Sequence, residues 1–326
     1  MKAVLIDEQT KRLFIGDWEE PVPESDQLLV SVRATALNRA DLLQKRGLYP
    51  PPPGASPILG LEMAGVVEQV GASVTGWKPG DRVFALLPGG GYAERVVIPA
   101  AMAMRIPDSF TFEQAAAIPE VFLTAYLNLF QLGQLQAGQT VLIHAGASGV
   151  GTAAIQLAKE AGARSIITAG SQAKIDFCLQ LGADFGLNYK EGPFGEKVQE
   201  ITEQKGVNLI LDFVGAPYFE QNLRSLATDG RLISIATMGG RKLEQVDLGM
   251  LMARRLQLIG STLRSKPVQQ KIELTQQFAA YAMPRFEQGR LKAIIDSVWD
   301  MRDANEAHQR MEENKNIGKI VLRINP

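Results

Sequence analysis

The stretch VLIHAGASGVGTAAIQLAKEAGA, residues 141–163, decides the fold of this 326-residue chain. It begins with an apolar run typical of a buried strand, passes through a turn that holds three glycines, and ends with the apolar spacing of a helix. Strand, glycine-rich turn and helix in this order are the context that a dinucleotide-binding fingerprint requires. Amides at such a helix start attract a pyrophosphate, so residues 146–151 predict a nucleotide-binding turn. The alternative is a turn needed only to pack the helix on the strand.

The turn departs from the G-x-G-x-x-G fingerprint at one position, because Ser148 replaces the second glycine. A hydroxymethyl group there limits the approach of the backbone but offers a donor to a phosphate or a substrate. Further strand patterns at 165–169, 209–214, 231–236 and 256–261 alternate with helical patterns at 172–181 and 218–227. This alternation predicts an α/β fold with a parallel, doubly wound sheet.

The N-terminal part of the chain, up to about residue 110, has a different pattern. Short β-branched runs are separated by Gly and Pro, which is typical of a sandwich or barrel-like domain. A long helix is predicted over 267–288, followed by short strands at 293–298 and 319–324. These last strands either end the second domain or return to the first, and the pattern alone favours neither.

The second strand of the alternating region indicates which nicotinamide cofactor is bound. NAD sites usually place an acidic residue at its end, but here the strand runs into Gly170-Ser171-Gln172-Ala173-Lys174. Ser171 and Lys174 are one helical turn apart, and a hydroxyl with an ammonium suits a 2′-phosphate. Tyr189 is expected to close the same pocket. We therefore predict NADPH, the alternative being that Lys174 is an ordinary solvated lysine.

Composition excludes several classes of protein. Lys plus Arg is 34 and Asp plus Glu is 35, so the net charge of −1 gives no reason to expect a nucleic-acid or membrane partner. One cysteine, Cys178, and two distant histidines, His144 and His308, are a poor source of zinc ligands. We expect Cys178 and His144 to be buried and His308 to be solvated. No signal peptide and no apolar run near about 20 residues is evident, which predicts a cytoplasmic protein.

The chain resembles the zinc-independent quinone oxidoreductases of the medium-chain dehydrogenase/reductase superfamily, and most of all their p53-inducible subgroup. The resemblance extends over nearly the whole length. Its most specific stretches are ALNRADLLQKRGLYPPPPGASPILGLEMAG, GVVEQVGASVTGWKPGDRV, the stretch at 141–163, TAGSQAK, GVNLILDFVG and NKNIGKIVL.

The resemblance implies a GroES-like catalytic domain, residues 1–120 and 289–326, and a Rossmann domain, residues 121–288, with the nicotinamide in a cleft between them. It also implies a homodimer with Rossmann sheets joined edge to edge. Zinc-using relatives carry a Cys at the position of Asn38 and a His at that of Leu61, so the resemblance implies no metal. Without a Lewis acid, reduction of an electrophilic acceptor is favoured over alcohol oxidation.

The cofactor contacts of the family carry over position by position. By similarity, Asn38 and Asp41 lie near the nicotinamide riboside, Thr124 near the nicotinamide ring, and Ser148, Gly149 and Val150 at the pyrophosphate. The remaining positions are Gly170, Ser171, Lys174 and Tyr189 at the 2′-phosphate ribose, Phe213, Met238 and Gly239 on the adenosine side, and Leu263, Arg264, Ser265 and Asn316 at the nicotinamide end. Phe213 and Met238 are equally consistent with a role in the core.

The expected activity is hydride transfer from NADPH to a quinone, for which the protein orients two flat rings and excludes water. Tyr49 is the candidate that stacks on the quinone or donates to its oxygen, since the prolines at 50–53 stiffen its loop. The alternative is a simple aromatic lid. Asn38 is a second candidate donor, to the substrate or the ribose. Reduction of activated C=C bonds, and a weakly active NADPH-binding regulatory protein, remain alternative functions.

Overall fold

The computed structural model describes residues 1–324, which divide into two compact units. The first unit comprises Met1–Leu123 and the chain from Leu263 onward, and the second comprises Thr124–Thr262. The second junction thus differs from the expected boundary at residue 288. The reason is that the helix Val268–Glu287 packs within the first unit, where Phe278 and Phe286 contact Phe122.

Strands and helices are numbered here in chain order. The strands are β1 (Lys2–Ile6), β2 (Leu13–Asp17), β3 (Gln27–Ala36), β4 (Glu62–Val70), β5 (Arg82–Leu86), β6 (Arg95–Pro99), β7 (Met104–Arg105), β8 (Thr140–Ile143), β9 (Arg164–Ala169), β10 (Phe185–Asn188), β11 (Val207–Asp212), β12 (Leu226–Ser234), β13 (Gln257–Gly260), β14 (Ile295–Asp300) and β15 (Lys319–Arg323). The α-helices are α1 (Arg39–Lys45), α2 (Phe112–Ala116), α3 (Pro119–Tyr126), α4 (Gly149–Glu160), α5 (Gln172–Leu181), α6 (Phe194–Ile201), α7 (Phe219–Ser225), α8 (Leu248–Ala253), α9 (Val268–Glu287) and α10 (Ala304–Glu312). A π-helical segment, Leu127–Leu132, follows α3, and short 3₁₀ turns occupy Ala100–Met102, Ala216–Tyr218 and Met301–Asp303.

The first unit is built on a seven-stranded sheet with the order β14-β15-β3-β4-β5-β7, in which β6 also pairs with β3. The hairpin β1-β2 forms a separate small sheet. Strand β15 runs antiparallel to β3, with Val321 opposite Ala36, so the C-terminal strands do return to the first unit. Apolar side chains from both ends of the chain therefore share one core, among them Val30, Met63 and Ile320.

The second unit is a six-stranded parallel sheet with the order β10-β9-β8-β11-β12-β13. The chain adds strands on one side of β8 and then starts again on the other side with β11. Such a reversal is the point where open α/β sheets bind ligands, beyond the carboxyl ends of the strands. This architecture confirms the predicted Rossmann sheet and GroES-like partner unit.

Several elements differ from the sequence-based prediction. Strands β2 and β10 were not predicted, and β12 begins at Leu226 rather than near residue 231. One helical run, Phe112–Leu132, is long and apolar enough to span a membrane by length and composition, contrary to the expectation that no such run exists. Of its most apolar stretch, 72% is buried inside the fold, as in the core helix of a globular protein.

Candidate functional site

The glycine-rich turn joins β8 to α4 in the second unit. Ser148 is the N-cap of α4, where its Oγ accepts a hydrogen bond from the amide of Gly151 at 3.0 Å. The amides of Gly149 and Val150 open the helix and require acceptors from outside it. The serine that departs from the fingerprint thus caps the helix, and its hydroxyl hydrogen remains available to a phosphate oxygen.

Two glycines of this turn are required because neighbouring atoms approach them closely, backbone atoms at Gly151 and a side chain at Gly146. A Cβ on Gly151 would lie 2.5 Å from the carbonyl oxygens of Ala145 and Gly146, and a Cβ on Gly146 would lie 2.6 Å from the Cβ of Ile167. The helix therefore rests directly on the turn, and its partial positive charge is directed to the carboxyl edge of the sheet. This arrangement fits the pyrophosphate of a dinucleotide.

A second group of predicted residues meets at the ends of β9 and β10. Ser171 is the N-cap of α5, with Oγ 3.4 Å from the amide of Lys174. A Cβ on Gly170 would lie 2.5 Å from the hydroxyl oxygen of Tyr189, so the tyrosine covers the end of β9. No Asp or Glu occurs between Gly170 and Ile175. These four residues, Gly170, Ser171, Lys174 and Tyr189, thus lie together at the ends of β9 and β10, and a hydroxyl and an ammonium are groups that suit a phosphate.

The ends of β11 and β12 supply the third group. Met238 and Gly239 bond through their amides to the carbonyl oxygens of Phe213 and Val214, at 3.1 and 2.8 Å. Phe213 is buried, which supports its role in the core, whereas the side chain of Met238 is 54% exposed at the sheet edge. Asp212 was not predicted here, yet its carboxylate accepts from the amides of Val214 and Gly215 and holds this turn in place.

His144 is buried at the end of β8, as expected. Its Nδ1 lies 2.9 Å from Thr168 Oγ1 and its Nε2 lies 2.7 Å from Asn222 Oδ1. The rings of Phe194 and Tyr218 pack on it edge to face. Burial lowers its pKa to about 4, so the imidazole is neutral. The buried thiol of Cys178, whose pKa burial raises to about 12, likewise belongs to the core and is no nucleophile.

In the first unit, Asn38 belongs to a buried polar cluster with Glu62 and Lys319. The Asn38 amide nitrogen donates to Glu62 Oε1 at 2.9 Å and to the carbonyl of Ala36 at 3.2 Å, while its Oδ1 accepts from Lys319 Nζ at 2.7 Å. Lys319 and Glu62 also form an ion pair at 2.7 Å. Both N–H groups of Asn38 are thus used within the fold, which favours a structural role over donation to a substrate or to the ribose.

Glu62 connects this cluster to α3. Its second oxygen, Oε2, accepts from the amide of Glu120 in the first turn of the helix, at 2.8 Å. A carboxylate at a helix N-terminus is favoured by the helix dipole. The cluster therefore fixes the start of the helix that carries Thr124. Thr124 itself is buried, and its carbonyl accepts from Asn128 at 2.7 Å.

Asp41 is completely buried, and its position near the nicotinamide riboside stays a prediction. Its carboxylate accepts from the amides of Asn38 and Gly60, at 2.7 and 3.0 Å, and therefore joins two loops. Burial raises its pKa to about 6 in spite of these bonds. Tyr92 continues the chain of contacts, with its hydroxyl 3.4 Å from Asp41 and 3.1 Å from Nε2 of His308.

His308 is buried, so the expectation of a solvated histidine is wrong. The buried face of α10 comprises Ala304, Ala307, His308 and Met311, which places the imidazole under the helix. Burial lowers the pKa of His308 to about 3. It is a neutral core residue that supports Tyr92.

Tyr49 lies half-buried in the loop after α1, beside Arg264. The Arg264 guanidinium is 5.2 Å from the centre of the Tyr49 ring, and it donates to Gln44 Oε1 at 2.7 Å and to the carbonyl of Pro88 at 2.9 Å. Arg264 is 7% exposed. Its side chain therefore holds the Tyr49 loop, and its contact at the nicotinamide end stays a prediction.

The other residues expected at the nicotinamide end are more dispersed. Leu263 is buried, Ser265 is exposed, and Asn316 is half-buried with its amide donating to the carbonyl of Gly318 at 2.8 Å. The described contacts of these residues neither group them nor define a common pocket.

The position where zinc-using relatives bind their metal does not fit a metal ion here. Asn38 and Leu61 occupy it, and the Lys319 ammonium already binds the available oxygens of Asn38 and Glu62. Across residues 1–324 no group of three or more His, Cys, Asp or Glu side chains is arranged to hold a metal.

Comparison with known proteins agrees with this architecture. Residues 24–108 match the alcohol dehydrogenase GroES-like domain, and residues 149–280 match the zinc-binding dehydrogenase domain. The chain is 32% identical to the synaptic vesicle membrane protein VAT-1 homolog of Danio rerio over 94% of its length, and spans 66% of that protein. It is 31% identical to the quinone oxidoreductase of Rattus norvegicus, over 93% of this chain and 90% of that one.

Two solved structures extend the comparison. Escherichia coli quinone oxidoreductase complexed with NADPH shares 29% identity, with a TM-score of 0.86 and 99% of each chain covered. The CurK enoyl reductase shares 28% identity, with a TM-score of 0.88 and the same coverage. The fold and the site define an oxidoreductase with a Rossmann unit and a GroES-like unit. The chain belongs to the medium-chain dehydrogenase/reductase superfamily.

Sequence reasoning missed the parts of the site that depend on distant contacts. Lys319 begins strand β15 directly before the apolar run Ile320–Leu322, and a lysine is rarely buried unless it is paired, so this was an available signal. The i, i+3, i+4, i+7 spacing of the buried face of α10 was an available signal for His308. The sequence carried no such signal for Gln44 or Asp212, since polar residues near loops are common.

Proposed function

We propose that this chain is an NADPH-dependent quinone reductase that works without zinc. The observation that carries the proposal is the meeting of Gly170, Ser171, Lys174 and Tyr189 at the ends of β9 and β10, with a hydroxyl at the N-terminus of α5 and no Asp or Glu between Gly170 and Ile175. NADPH would supply the hydride, while the amides of Gly149 and Val150 would hold its pyrophosphate. The NADPH-bound relative from Escherichia coli and the quinone oxidoreductase from Rattus norvegicus support this proposal.

Replacing Lys174 tests the cofactor assignment. Lys174→Met removes the cation expected at the 2′-phosphate, so kcat/KM for NADPH should fall by about tenfold or more while that for NADH stays unchanged. Adding Ser171→Asp should favour NADH further. Lys190→Met is the control, because Lys190 is exposed just beyond Tyr189. A preference of the unmodified protein for NADH, measured by steady-state kinetics, would refute the assignment.

Tyr49 is the residue of the first unit that we assign to the acceptor. Its ring is held by Arg264, and its hydroxyl can donate to an oxygen that gains charge during hydride transfer. Tyr49→Phe should then lower kcat by about tenfold with little change in KM. Tyr49→Ala should raise KM as well, because the stacking surface is lost. If Tyr49→Phe behaves as the unmodified protein with 1,4-benzoquinone, the tyrosine is only a lid.

Reduction of activated C=C bonds is the second candidate function. The likeness to the CurK enoyl reductase favours it, and the same placement of hydride and acceptor serves both reactions. Comparison of kcat/KM for 1,4-benzoquinone and for methyl vinyl ketone separates them. NADPH binding without turnover on either acceptor would instead indicate a regulatory protein.

We also propose that the protein is a cytoplasmic homodimer, with no nucleic-acid or membrane partner. In the part of the chain that the structure describes, β13 ends its sheet, and the side chain of Leu258 on it is 44% exposed. An unpaired strand edge of this kind is usually protected, and pairing with a second copy of the chain is one way to protect it. Sedimentation velocity of the protein tests the proposal, and a monomer at all concentrations would contradict it.

A further inference from the structure

The first unit contains a cavity of about 500 Å³ that none of the proposed catalytic or cofactor-binding residues lines. It lies between the N-terminal segment, β6 and the start of α9. This volume is within the range of pockets that bind small molecules. Apolar side chains make up most of its wall, including Trp18, Ile58, Leu87, Ile98, Met102 and Val268.

A buried ammonium lies in the wall of this cavity. Lys271, in the first turn of α9, is 6% exposed. Its Nζ donates to the carbonyl of Arg264 at 3.2 Å, and among residues 1–324 no carboxylate oxygen lies within 4.0 Å of this nitrogen. Two of its three N–H groups are thus left to other acceptors.

The surroundings of Lys271 favour the binding of an anion. Burial and the nearby Arg264 guanidinium both disfavour its charged form and lower its pKa. The backbone amides at the start of α9 add partial positive charge, since Pro267 offers no side-chain cap. Burying an ammonium without a counter-charge is costly, and a bound anion would remove that cost.

The other charged groups around the cavity already have partners or face water. Arg95 is bonded to Glu68 at 2.8 Å and to Glu20 at 3.2 Å, and Glu20 lies 3.9 Å from the N-terminal ammonium. Glu19 is exposed at the rim. An anion inside the cavity would therefore meet Lys271 and not a buried carboxylate.

We propose that this cavity binds a small amphipathic carboxylate, with the carboxylate accepting hydrogen bonds from Lys271 Nζ and the apolar body lying against Trp18, Ile98 and Val268. The proposal does not depend on the oxidoreductase function. The cavity is lined wholly by residues of the first unit, so occupancy of the glycine-rich turn does not compete for the same atoms.

Calorimetric titration of the whole protein with octanoate tests the proposal, with octan-1-ol as the uncharged ligand of equal chain length. Each titration is run with and without NADPH. We expect octanoate to bind in both cases, and Lys271→Met to weaken it by about tenfold or more while octan-1-ol is unaffected. Lys266→Met is the matched control, because Lys266 lies on the same segment but does not line the cavity.

Val268→Trp provides a second variant that fills the cavity from its exposed side and should abolish binding of both ligands. If octanoate and octan-1-ol bind equally, and Lys271→Met changes neither, the anion site is refuted. If the unmodified protein does not bind octanoate, the whole proposal is refuted. An equal response of the Lys266 and Lys271 variants would show surface binding only, which also refutes it.

Discussion

Individual residues in this protein are often held by partners from the far end of the chain. Lys319 is the clearest case, since its side chain is 4% exposed and its ammonium bonds both Glu62 and Asn38. Because the desolvation of two charges is costly, the pair itself adds little net stability. Removing one partner is different, because it leaves the other charge buried and alone.

We therefore predict that Lys319→Met lowers the free energy of unfolding by about 3–5 kcal/mol. The control is Lys315→Met, which breaks an exposed pair with Glu313 and should change stability by less than about 1 kcal/mol. Urea unfolding measures both. The double variant Lys319→Met/Glu62→Gln should recover part of the loss, and equal effects of the two single variants would contradict the assigned role.

At the scale of elements, the contact between the glycine-rich turn and α4 is the most constrained part of the second unit. At Gly151 an added Cβ would meet two backbone oxygens, and backbone cannot move aside as a flexible side chain can. The position of the helix N-terminus, and with it the proposed binding of NADPH, therefore requires a residue without a Cβ at position 151.

Gly151→Ala should accordingly lower stability by about 1–3 kcal/mol and weaken NADPH binding by more than tenfold, or about 1.4 kcal/mol. Gly260→Ala in β13 serves as the control, because nothing lies within 4 Å of its added Cβ. Thermal unfolding and fluorescence titration with NADPH provide the measurements. Normal NADPH affinity in Gly151→Ala would show that the turn is not the phosphate site.

The elements also show which features were readable from the sequence. The turn at 146–151 and the pair Ser171 and Lys174 are local, since strand, turn and helix follow each other directly, and they were predicted correctly as structure. The cluster of Asn38, Glu62 and Lys319 joins β4, β15 and the start of α1, which only the assembled sheet brings together. Local patterns carry no information on such contacts, so the buried partners of Asn38 and Asp41 were not predicted.

At the scale of the whole molecule, buried titratable groups determine the response to acid. The unfolded chain protonates His144 and His308 below about pH 6.5, whereas burial keeps both neutral in the folded protein down to about pH 4 and about pH 3. The stability that the two neutral histidines contribute is complete above about pH 6.5 and is lost as the pH falls below that value. Asp41 acts in the opposite direction, because burial raises its pKa to about 6. The stability that it contributes is complete only when the pH lies below the ordinary aspartate pKa, and it is lost as the pH rises to about 6.

The stability lost through the two histidines exceeds the stability gained through Asp41, so we predict a net loss of stability as the pH falls from 6.5 to 4. His308→Gln should reduce that loss by about 3 kcal/mol, since glutamine does not titrate. Asp41→Asn should have the opposite effect and steepen the loss over the same interval. Urea unfolding at several pH values measures the slopes, and an unchanged slope in His308→Gln would show that this histidine is not held neutral by the fold.

The position of β15 between β14 and β3 has a consequence for biosynthesis. A nascent chain leaves the ribosome from its N-terminus, yet the central strand β3 lacks this neighbour until residues up to Arg323 have been made. Residues 124–262 form a compact unit and can fold in the meantime. Until then the N-terminal sheet has an unpaired edge at β3, and this edge is where a chaperone would be needed most.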